Sequence, residues 1–454
     1  MADEWETARL GDFVTHQKGF AFKSAEYRQS GHPIVRVSNF TDRSIEMAEC
    51  SYLDHDTVHQ YEAYKLRHRD AVIATVGSWP TNPASVVGKT ICVPEKAEGA
   101  LLNQNAVRLR TKADLDQRFL FYLLKQPDFQ TYIVGTAQGS ASQASITLND
   151  IFGFEFQSPP LAEQKAIASI LGALDDKIEL NRRMNTTLEG MARALFQSWF
   201  VDFDPVRAKL DGRKPEGMDK PTAALFPDAF QDSSIGAVPK GWKVERFDAH
   251  ITADRGLSYK GEGLREDRTG LPMHNLNSIY EGGGYKHEGI KYYQGEYREK
   301  HLLSPGDMIV TNTEQGFDHM LIGHAAIVPE CYGSKGIYSH HIYRIRHKPA
   351  SPLRPHYLVK LFNNRRWHYW ISGFSNGTTI NMLPMDALEM PMLVVPPVEL
   401  VKKFTALAEA SHIQTEANLH ESRTLANLRD TLLPKLLSGE LSVAHSTITK
   451  GDNL

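Results

Sequence analysis

Three short segments carry residue types that could do chemistry, and each lacks something that the chemistry requires. The Gly-Lys-Thr run at 88–90 resembles the end of a phosphate-binding loop, but Pro83 stands where the first glycine is needed. The Gly-Glu-Gly run at 261–263 is followed by Glu266 where a dinucleotide-binding loop needs its third glycine. The His-His pair at 340–341 could ligate a metal. On a strand, however, adjacent side chains point to opposite faces, so we expect one ring to be buried and the other to face solvent or a ligand.

A fourth segment, SPPL at 158–161, resembles the loop that holds the target amine in amino-methyltransferases. Leu161 replaces the aromatic residue that would stack on a flipped base, and no glycine-rich S-adenosylmethionine loop accompanies it. The three cysteines, Cys50, Cys92 and Cys331, form no CxxC pair and lack zinc-finger spacing. The sequence therefore predicts that this chain has no catalytic residues, no metal site and no bound cofactor.

Amide, hydroxyl and basic side chains are instead concentrated in turns. Asn and Gln can pair bidentately with adenine and Arg with guanine, and exposed Lys can hold phosphates, so these turns are candidate DNA contacts, although any one of them could be an ordinary turn. The candidates in the first half are Lys18, Lys23, Arg36, Ser38, Asn39, Ser78, Asn82, Gln104, Asn105, Gln138, Ser140, Ser142 and Gln143. Those in the second half are Lys260, His274, Asn275, Asn277, Thr311, Thr313, Gln315, His340, His341, Ser375, Asn376 and Thr378. A net charge of −3 excludes a globally basic chain but not basic residues confined to one face.

The chain repeats itself. Trp5, Arg9, Leu10, Thr15 and Gly19 recur 237 positions later as Trp242, Arg246, Phe247, Thr252 and Gly256. Leu66 and Asp70 recur as Leu303 and Asp307, and a Pro-Pro pair at 159–160 recurs at 396–397. A shared scaffold with different polar turns is what two readers of different sequences would need.

A long amphipathic segment follows each Pro-Pro pair, because proline suits the first turn of a helix. The predicted seam is Ile167, Leu171, Leu174, Ile178, Asn181, Leu188, Leu195 and Trp199 in the first segment, and Phe404, Asn418, Leu425, Leu428, Leu432 and Leu436 in the second. Each helix of about 40 residues would be roughly 60 Å long, and neither is stable alone, so we expect them to pair with each other or with partner helices. The equivalent Asn181 and Asn418 either form a buried polar pair that fixes register or face water.

The segment 203–240 contains five prolines and interleaved charges, which is typical of a linker or of an extended partner-binding arm. Its Phe203, Leu225, Phe226 and Phe230 favour the arm, docked on the protein. No apolar stretch reaches the roughly 18 residues of a membrane span. The first residues are acidic and the cysteines are scattered, so we expect a soluble, cytoplasmic protein without membrane contact.

The two helical segments carry a resemblance to a known family. They resemble the helical regions of the specificity subunits of Type I restriction-modification systems (HsdS family). The matching segments read PPLAEQKAIASILGALDDKIELNRRMNTTLEGMARALFQSWFVDFDPV and PPVELVKKFTALAEASHIQTEANLHESRTLANLRDTLLPKLLSGEL. The resemblance implies an α+β fold, with two repeated α/β target-recognition domains separated by two long antiparallel coiled-coil helices. It also implies that each domain reads half of a bipartite double-stranded DNA target.

The resemblance further implies partners that do the chemistry. Two modification subunits would methylate adenine with S-adenosylmethionine, and restriction subunits would use ATP and Mg²⁺ for translocation and cleavage, in a bacterial or archaeal cytoplasm. The alternatives are a specificity subunit of a related phage-defence or Type IIB-like methyltransferase system, an adenine methyltransferase in its own right, and a protein scaffold that does not bind DNA.

Repeat and resemblance together predict the domain organisation. The predicted segments are 1–158, the first target-recognition domain; 159–202, the central helical spacer; 203–240, the linker or partner-binding arm; 241–395, the second target-recognition domain; 396–440, the distal helical spacer; and 441–454, a flexible tail.

Overall fold

The computed structural model of the protein describes residues 5–79, 82, 85–140, 143–315, 318–377 and 380–443. By internal contacts the chain divides into two compact units. Unit 1 comprises residues 1–180 and 422–454, and unit 2 comprises residues 181–421. Each unit therefore contains one globular domain together with one half of each long helix. The predicted domain order, which assigns each helix to one segment of its own, does not describe this division.

Unit 1 is built from short strands and helices. Its strands are β1 (Glu6–Arg9), β2 (Val14–Lys18), β3 (His32–Val35), β4 (Ser51–Leu53), β5 (Ala71–Ala74), β6 (Val76–Gly77), β7 (Thr90–Cys92), β8 (Leu101–Leu102), β9 (Ala106–Thr111), β10 (Gln138–Ser140), β11 (Gln143–Ser145) and β12 (Glu155–Ser158). Its helices are α1 (Leu10–Phe13), α2 (Gln117–Lys125), α3 (Pro127–Gly135) and α4 (Leu148–Phe152), followed by the long helix α5 (Leu161–Phe200), which continues into unit 2.

The core of unit 1 lies on a four-stranded antiparallel sheet with strand order β2-β9-β5-β7. All four residues of β5 are apolar and buried, as expected of a strand covered on both faces. Helix α2 packs on this sheet. Its N-cap residue is Asp116, whose carboxylate accepts hydrogen bonds from the backbone N–H groups of Arg118 and Phe119.

Unit 2 repeats this plan with additional strands. They are β13 (Phe230–Gln231), β14 (Val238–Pro239), β15 (Lys243–Arg246), β16 (Ile251–Arg255), β17 (Leu264–Arg265), β18 (Leu271–His274), β19 (Lys291–Tyr293), β20 (Leu302–Leu303), β21 (Met308–Thr311), β22 (Thr313–Gln315), β23 (Ala325–Ile327), β24 (Gly336–Tyr338), β25 (Ile342–His347), β26 (Ile380–Met382) and β27 (Met392–Val395). The helices are α6 (Asp204–Leu210), α7 (Lys220–Ala224), α8 (Pro355–Phe362), α9 (Arg365–Ser372), α10 (Asp386–Glu389) and the long α11 (Val398–Leu437), which continues into unit 1.

Two of the sheets correspond strand by strand between the units. The sheet β16-β25-β21-β23 repeats β2-β9-β5-β7, and the pair β15–β27 repeats β1–β12. Leu66 and Leu303 are both buried, and the carboxylates of Asp70 and Asp307 each accept a backbone N–H three residues upstream, at 2.7 and 2.9 Å. The predicted internal repeat and α+β architecture are therefore confirmed.

The two long helices pair antiparallel in unit 2. Asn185 of α5 lies against Thr415 of α11, and farther along α5 the ring of Phe196 contacts that of Phe404. Most predicted seam positions are buried or half-buried, but Leu428 is 46% exposed, so its assignment to the seam is wrong. Arg429 and Leu433 are buried instead, because a 3.6-residue helical turn shifts the contact line by one position there.

A polar pair is buried between these helices. Asn181 and Asn418 are 0% and 4% exposed, which confirms the buried alternative. The Asn181 side-chain amide donates to Glu421 Oε2 at 2.7 Å, and that of Asn418 donates to Asn185 Oδ1 at 2.7 Å. These bonds need one particular alignment of the two helices, so the pair specifies their register.

Replacing Asn181 alone with Leu is expected to lower the free energy of unfolding by about 1–3 kcal/mol, because polar groups around Asn418 stay buried and lose partners. The double replacement Asn181→Leu/Asn418→Leu is expected to cost more than the single one, because the side chains of Asn185 and Gln414 then lose their bonds to Asn418. Urea unfolding followed by helical circular dichroism measures both. Asn427→Leu, at an exposed position of α11, is the control. A single variant as stable as the unchanged protein would contradict the register role.

The predicted arm 203–240 packs on unit 2, as the favoured docked alternative expects. Val206 and Phe226 are buried in its hydrophobic core, and the Phe226 ring lies 5.6 Å from Trp199 and 6.4 Å from Trp242. Its predicted role in binding a partner stays a prediction. In the part of the chain that the structure describes, no helix is both long and apolar enough to cross a membrane.

Candidate nucleic-acid interface

In unit 1, three backbone hydrogen bonds hold the turn between β8 and β9. Gly19 N donates to Ala106 O, Gln104 N to Phe20 O, and Thr75 N to Asn105 O, at 3.0, 2.9 and 2.7 Å. Asn105 adopts φ +70°, a left-handed conformation that Asn tolerates better than most residues. The turn is thereby fixed from both sides, and the side chains of Gln104 and Asn105 are exposed beside Lys18, the last residue of β2.

The hairpin of β10 and β11 joins the same region. Residues Ala144 and Gly77 pair across β11 and β6, and Ile146 N donates to Thr75 O at 2.9 Å. Trp79 Nε1 donates to Ser140 O at 2.5 Å. We call the exposed residues that these bonds bring together the unit 1 polar edge: Lys18, Gln104, Asn105, Gln138, Ser140 and Gln143.

Unit 2 has the same backbone arrangement with different side chains. His340 N donates to Leu257 O, Asn312 N to His341 O, and Leu383 N to Asn312 O, at 2.9, 3.1 and 2.8 Å. These three bonds correspond to Gln104 N–Phe20 O, Thr75 N–Asn105 O and Ile146 N–Thr75 O of unit 1. The unit 2 polar edge consists of Arg255, Gln315, His340, His341 and Asn376, which are exposed or half-buried.

The repeated glycines Gly19 and Gly256 explain how each edge closes. A Cβ atom at Gly19 would lie 1.8 Å from the Asn103 carbonyl oxygen, and one at Gly256 would lie 2.2 Å from that of Ser339. Only glycine permits this close approach of backbone to backbone. Gly19, directly after β2, and Gly256, directly after β16, therefore let the chain lie against the polar turn of their unit.

The two histidines of the unit 2 edge do not alternate as predicted. They lie in the turn before β25, with ring centroids 3.9 Å apart, and both are half-buried. The prediction of one buried and one outward ring is wrong because it assumed a strand. His341 Nδ1 is 2.9 Å from Thr313 Oγ1, and burial together with the nearby His340 and Arg255 lowers the pKa of His341, so its ring is neutral at pH 7. Among the described residues, no cluster of three or more His, Cys, Asp or Glu could hold a metal.

Five candidate DNA contacts are buried and bond to the protein itself, and we assign them a structural role as a correction. Asn39 accepts from Arg36 N, and Asn275 accepts from Asn277 N, each at 2.9 Å. The others are His274, whose Nδ1 is 2.8 Å from the Tyr285 hydroxyl, Thr311, which donates to Leu321 O, and Thr313, which pairs with His341. Burial lowers the pKa of His274 to about 3, so this ring stays neutral.

The remaining candidates lie outside the two polar edges as defined above. Those with exposed side chains are Lys23, Ser38, Asn82, Asn277 and Lys260, and those that are half-buried are Arg36, Ser78 and Ser375. Ser142 and Thr378 lie outside the described residues. A DNA contact by any exposed or half-buried candidate stays a prediction.

The polarity of turns did not reveal three residues that belong to these edges or support them. Arg255 ends β16 as Lys18 ends β2, Asn312 takes the backbone role of Thr75, and Trp79 anchors the hairpin. The repeat offset could have found the first two, because Lys18 and Arg255 are 237 positions apart, as are Thr75 and Asn312.

Comparison with known proteins places these features in context. Residues 2–190 match the family model of the Type I restriction modification DNA specificity domain. The Type I restriction enzyme MjaIX specificity subunit of Methanocaldococcus jannaschii is 23% identical over 355 residues, which cover 75% of this chain and 73% of that protein. The Type I restriction enzyme HindI specificity subunit of Haemophilus influenzae is 25% identical over 374 residues, which cover 71% and 77%.

The fold agrees with a solved structure. The S subunit of a Type I restriction-modification system from M. genitalium superimposes with a TM-score of 0.56 at 14% identity over 96% of both chains. Fold and sequence thus define the class of protein, one that carries a DNA specificity domain of the Type I restriction-modification kind. The chain is thus similar to the specificity subunits of Type I restriction-modification systems, and the family model of their DNA specificity domain matches residues 2–190.

Proposed function

We propose that this chain is the non-catalytic, sequence-reading subunit of a Type I restriction-modification complex. It reads an asymmetric, bipartite DNA target and directs adenine methylation or cleavage by partner subunits. The observation that carries the proposal is the pair of polar edges, which share three backbone hydrogen bonds and differ in their side chains. A fixed backbone with exchangeable polar side chains suits the reading of two different base sequences.

The asymmetry of the target follows from the chemistry of the two edges. The unit 1 edge offers Lys18 and the amides of Gln104 and Asn105, whereas the unit 2 edge offers Arg255 and two imidazoles. A symmetric dimer presents identical contacts and so requires a palindrome. Two non-identical edges on one chain instead require two different half-sites.

The length of the helices supports a gap between the half-sites. Each long helix contains 40 residues, about 60 Å at a rise of ~1.5 Å per residue. Two turns of B-DNA span about 70 Å. We therefore expect several unread base pairs between two short half-sites on one face of the duplex.

The chemistry is assigned to partner subunits. Two modification subunits would supply the methyltransferase site and S-adenosylmethionine, and restriction subunits would supply ATP- and Mg²⁺-dependent translocation and cleavage, in the cytoplasm of a bacterium or archaeon. The chain itself would bind none of these cofactors. Its contribution is to bring the methyltransferase to the adenines of one bipartite sequence.

Mapping N6-methyladenine in DNA from cells that express this chain with its modification subunit tests the proposal. The expected result is one motif made of two short, different half-sites separated by a fixed number of unspecified bases. Cells that express the modification subunit alone are the control and should lack the motif. A continuous or palindromic motif, or the same motif in the control cells, would contradict the proposal.

A further inference from the structure

A cleft of about 1530 Å³ lies beside helix α9 in unit 2. Its lining includes Tyr369 and Trp370 of α9, which are 81% and 41% exposed. Aromatic rings that stand together on a surface mark a site of interaction, because their exposure to water is unfavourable. The fold of unit 2 leaves this face of α9 uncovered, so it is open to a ligand or partner.

Three arginines line the same cleft. Arg193, Arg365 and Arg366 are exposed, and within the described residues none of them has an ion pair or a side-chain hydrogen bond. Two carboxylates also line it. Asp202 accepts from Gln197 Nε2 at 2.8 Å, and Asp318 is exposed. The cleft therefore carries a net positive charge on a chain whose overall charge is −3.

The cleft continues into the unit 2 polar edge. Helix α9 ends at Ser372, and Phe374, which lines the cleft, is followed directly by Ser375 and by Asn376 of the edge. Ser375 Oγ lies 3.5 Å from Nδ1 of His319, another residue of the cleft. A duplex that meets the edge is thus brought next to the arginines.

The matching helix of unit 1 lacks this surface. Helix α3 carries Asp128 and Thr131 where α9 carries Arg366 and Tyr369. Its Tyr132, equivalent to Trp370, donates its hydroxyl hydrogen to the carbonyl oxygen of Asp150 at 3.0 Å. Because α3 packs well without arginines or exposed rings, packing alone does not explain their presence on α9.

We propose that the cleft beside α9 binds the sugar-phosphate backbone of the duplex next to the half-site that unit 2 reads, which rests on the proposed function. Arg193, Arg365 and Arg366 would neutralise phosphates, and Tyr369 and Trp370 would pack against deoxyribose. Phosphate contacts set the position of a protein on the duplex and carry no sequence information. The cleft therefore strengthens binding at every sequence and favours none.

The test is Arg365→Gln/Arg366→Gln in the full chain, purified with its modification subunits and titrated with the target duplex at several salt concentrations. We expect about tenfold weaker binding near 0.15 M salt. The slope of log affinity against log salt should become shallower by about 2, because each lost phosphate contact removes about 0.9. The methylated motif should not change. Arg365→Lys/Arg366→Lys, which keeps both charges, should retain the original slope.

Two results would overturn the cleft proposal while leaving the proposed function intact. One is an unchanged affinity and salt slope in the glutamine variant. The other is a variant that binds DNA normally but no longer co-purifies with the modification subunits, which would make this face a protein-docking surface. If the unchanged complex itself shows no sequence-specific DNA affinity, the proposed function and the cleft proposal both fail.

Discussion

Changing Gln104 to Glu and Asn105 to Asp is expected to reduce methylation of the target on the order of a hundredfold or more. An amide presents a donor and an acceptor side by side, as bidentate pairing with adenine requires, whereas a carboxylate only accepts. Each bidentate pair contributes about 1–3 kcal/mol of discrimination, and the added negative charges also repel DNA phosphates. The changes keep side-chain size, and both residues are exposed, so the fold is expected to be retained.

The measurement is the rate of methyl transfer to the mapped duplex by the purified complex. Gln157→Glu is a matched control, because it makes the same amide-to-acid change at an exposed position of β12, outside the polar edge. A library randomised in one half-site at a time adds a second readout. Specificity should relax only in the half-site read by unit 1. A wild-type rate on the original motif would remove these two residues from the set of DNA contacts.

The long helices and the repeat could be predicted because both depend on local spacing. Apolar residues three and four positions apart define a helix face regardless of what covers it, and a shared offset needs no knowledge of contacts. The exception at Leu428 is instructive. Leu425, Leu428 and Leu432 all fit the spacing, but the paired helix turns its contact line toward Arg429 and Leu433. The sequence pattern defines the face of a helix to within about one residue, and packing decides the rest.

The individual DNA contacts were harder to predict because the same residue types serve two purposes. Asn39 and Asn105 both lie in polar turns, but Asn39 accepts from a nearby backbone N–H and is buried, whereas Asn105 is exposed. Asn favours turns for the first reason and DNA bases for the second. What separates the two cases is a set of bonds between distant segments, such as Thr75 N to Asn105 O, which composition does not reveal. The repeat offset is the one sequence signal that transfers such bonds from one unit to the other.

In unit 1, an ionic contact at Asp175 joins α5 and α11. In unit 2, the same two helices pack through aromatic rings. Arg429, 6% exposed on α11, donates from Nη1 to Asp175 Oδ1 at 2.6 Å. The other oxygen of Asp175 accepts from the Tyr122 hydroxyl at 2.7 Å, and Arg43 lies 3.9 Å away. The position equivalent to Arg429 in the first repeat is Ala192. The ionic contact therefore belongs to one end of the helix pair alone.

Replacing Arg429 with Met is expected to destabilise unit 1 by about 3 kcal/mol, because one half of a buried ion pair is left without its main partner. Hydrogen-exchange mass spectrometry measures this and identifies the unit affected. Protection should fall in α2 and in residues 422–437, and not in residues 398–410. The double variant Asp175→Leu/Arg429→Met should regain most of the loss, since a buried pair replaced by apolar side chains is often neutral or stabilising.

Arg213→Met is the matched control for Arg429→Met. The Arg213–Asp211 pair has a similar distance, 2.8 Å, but both side chains are largely exposed, so its loss should cost less than about 1 kcal/mol. Equal effects of the two arginine variants would show that burial does not make the Asp175–Arg429 contact special. A loss of protection confined to unit 1 would instead show that different interactions stabilise the two ends of the helix pair. These are charge pairing in unit 1 and aromatic packing of Phe196, Phe200 and Phe404 in unit 2.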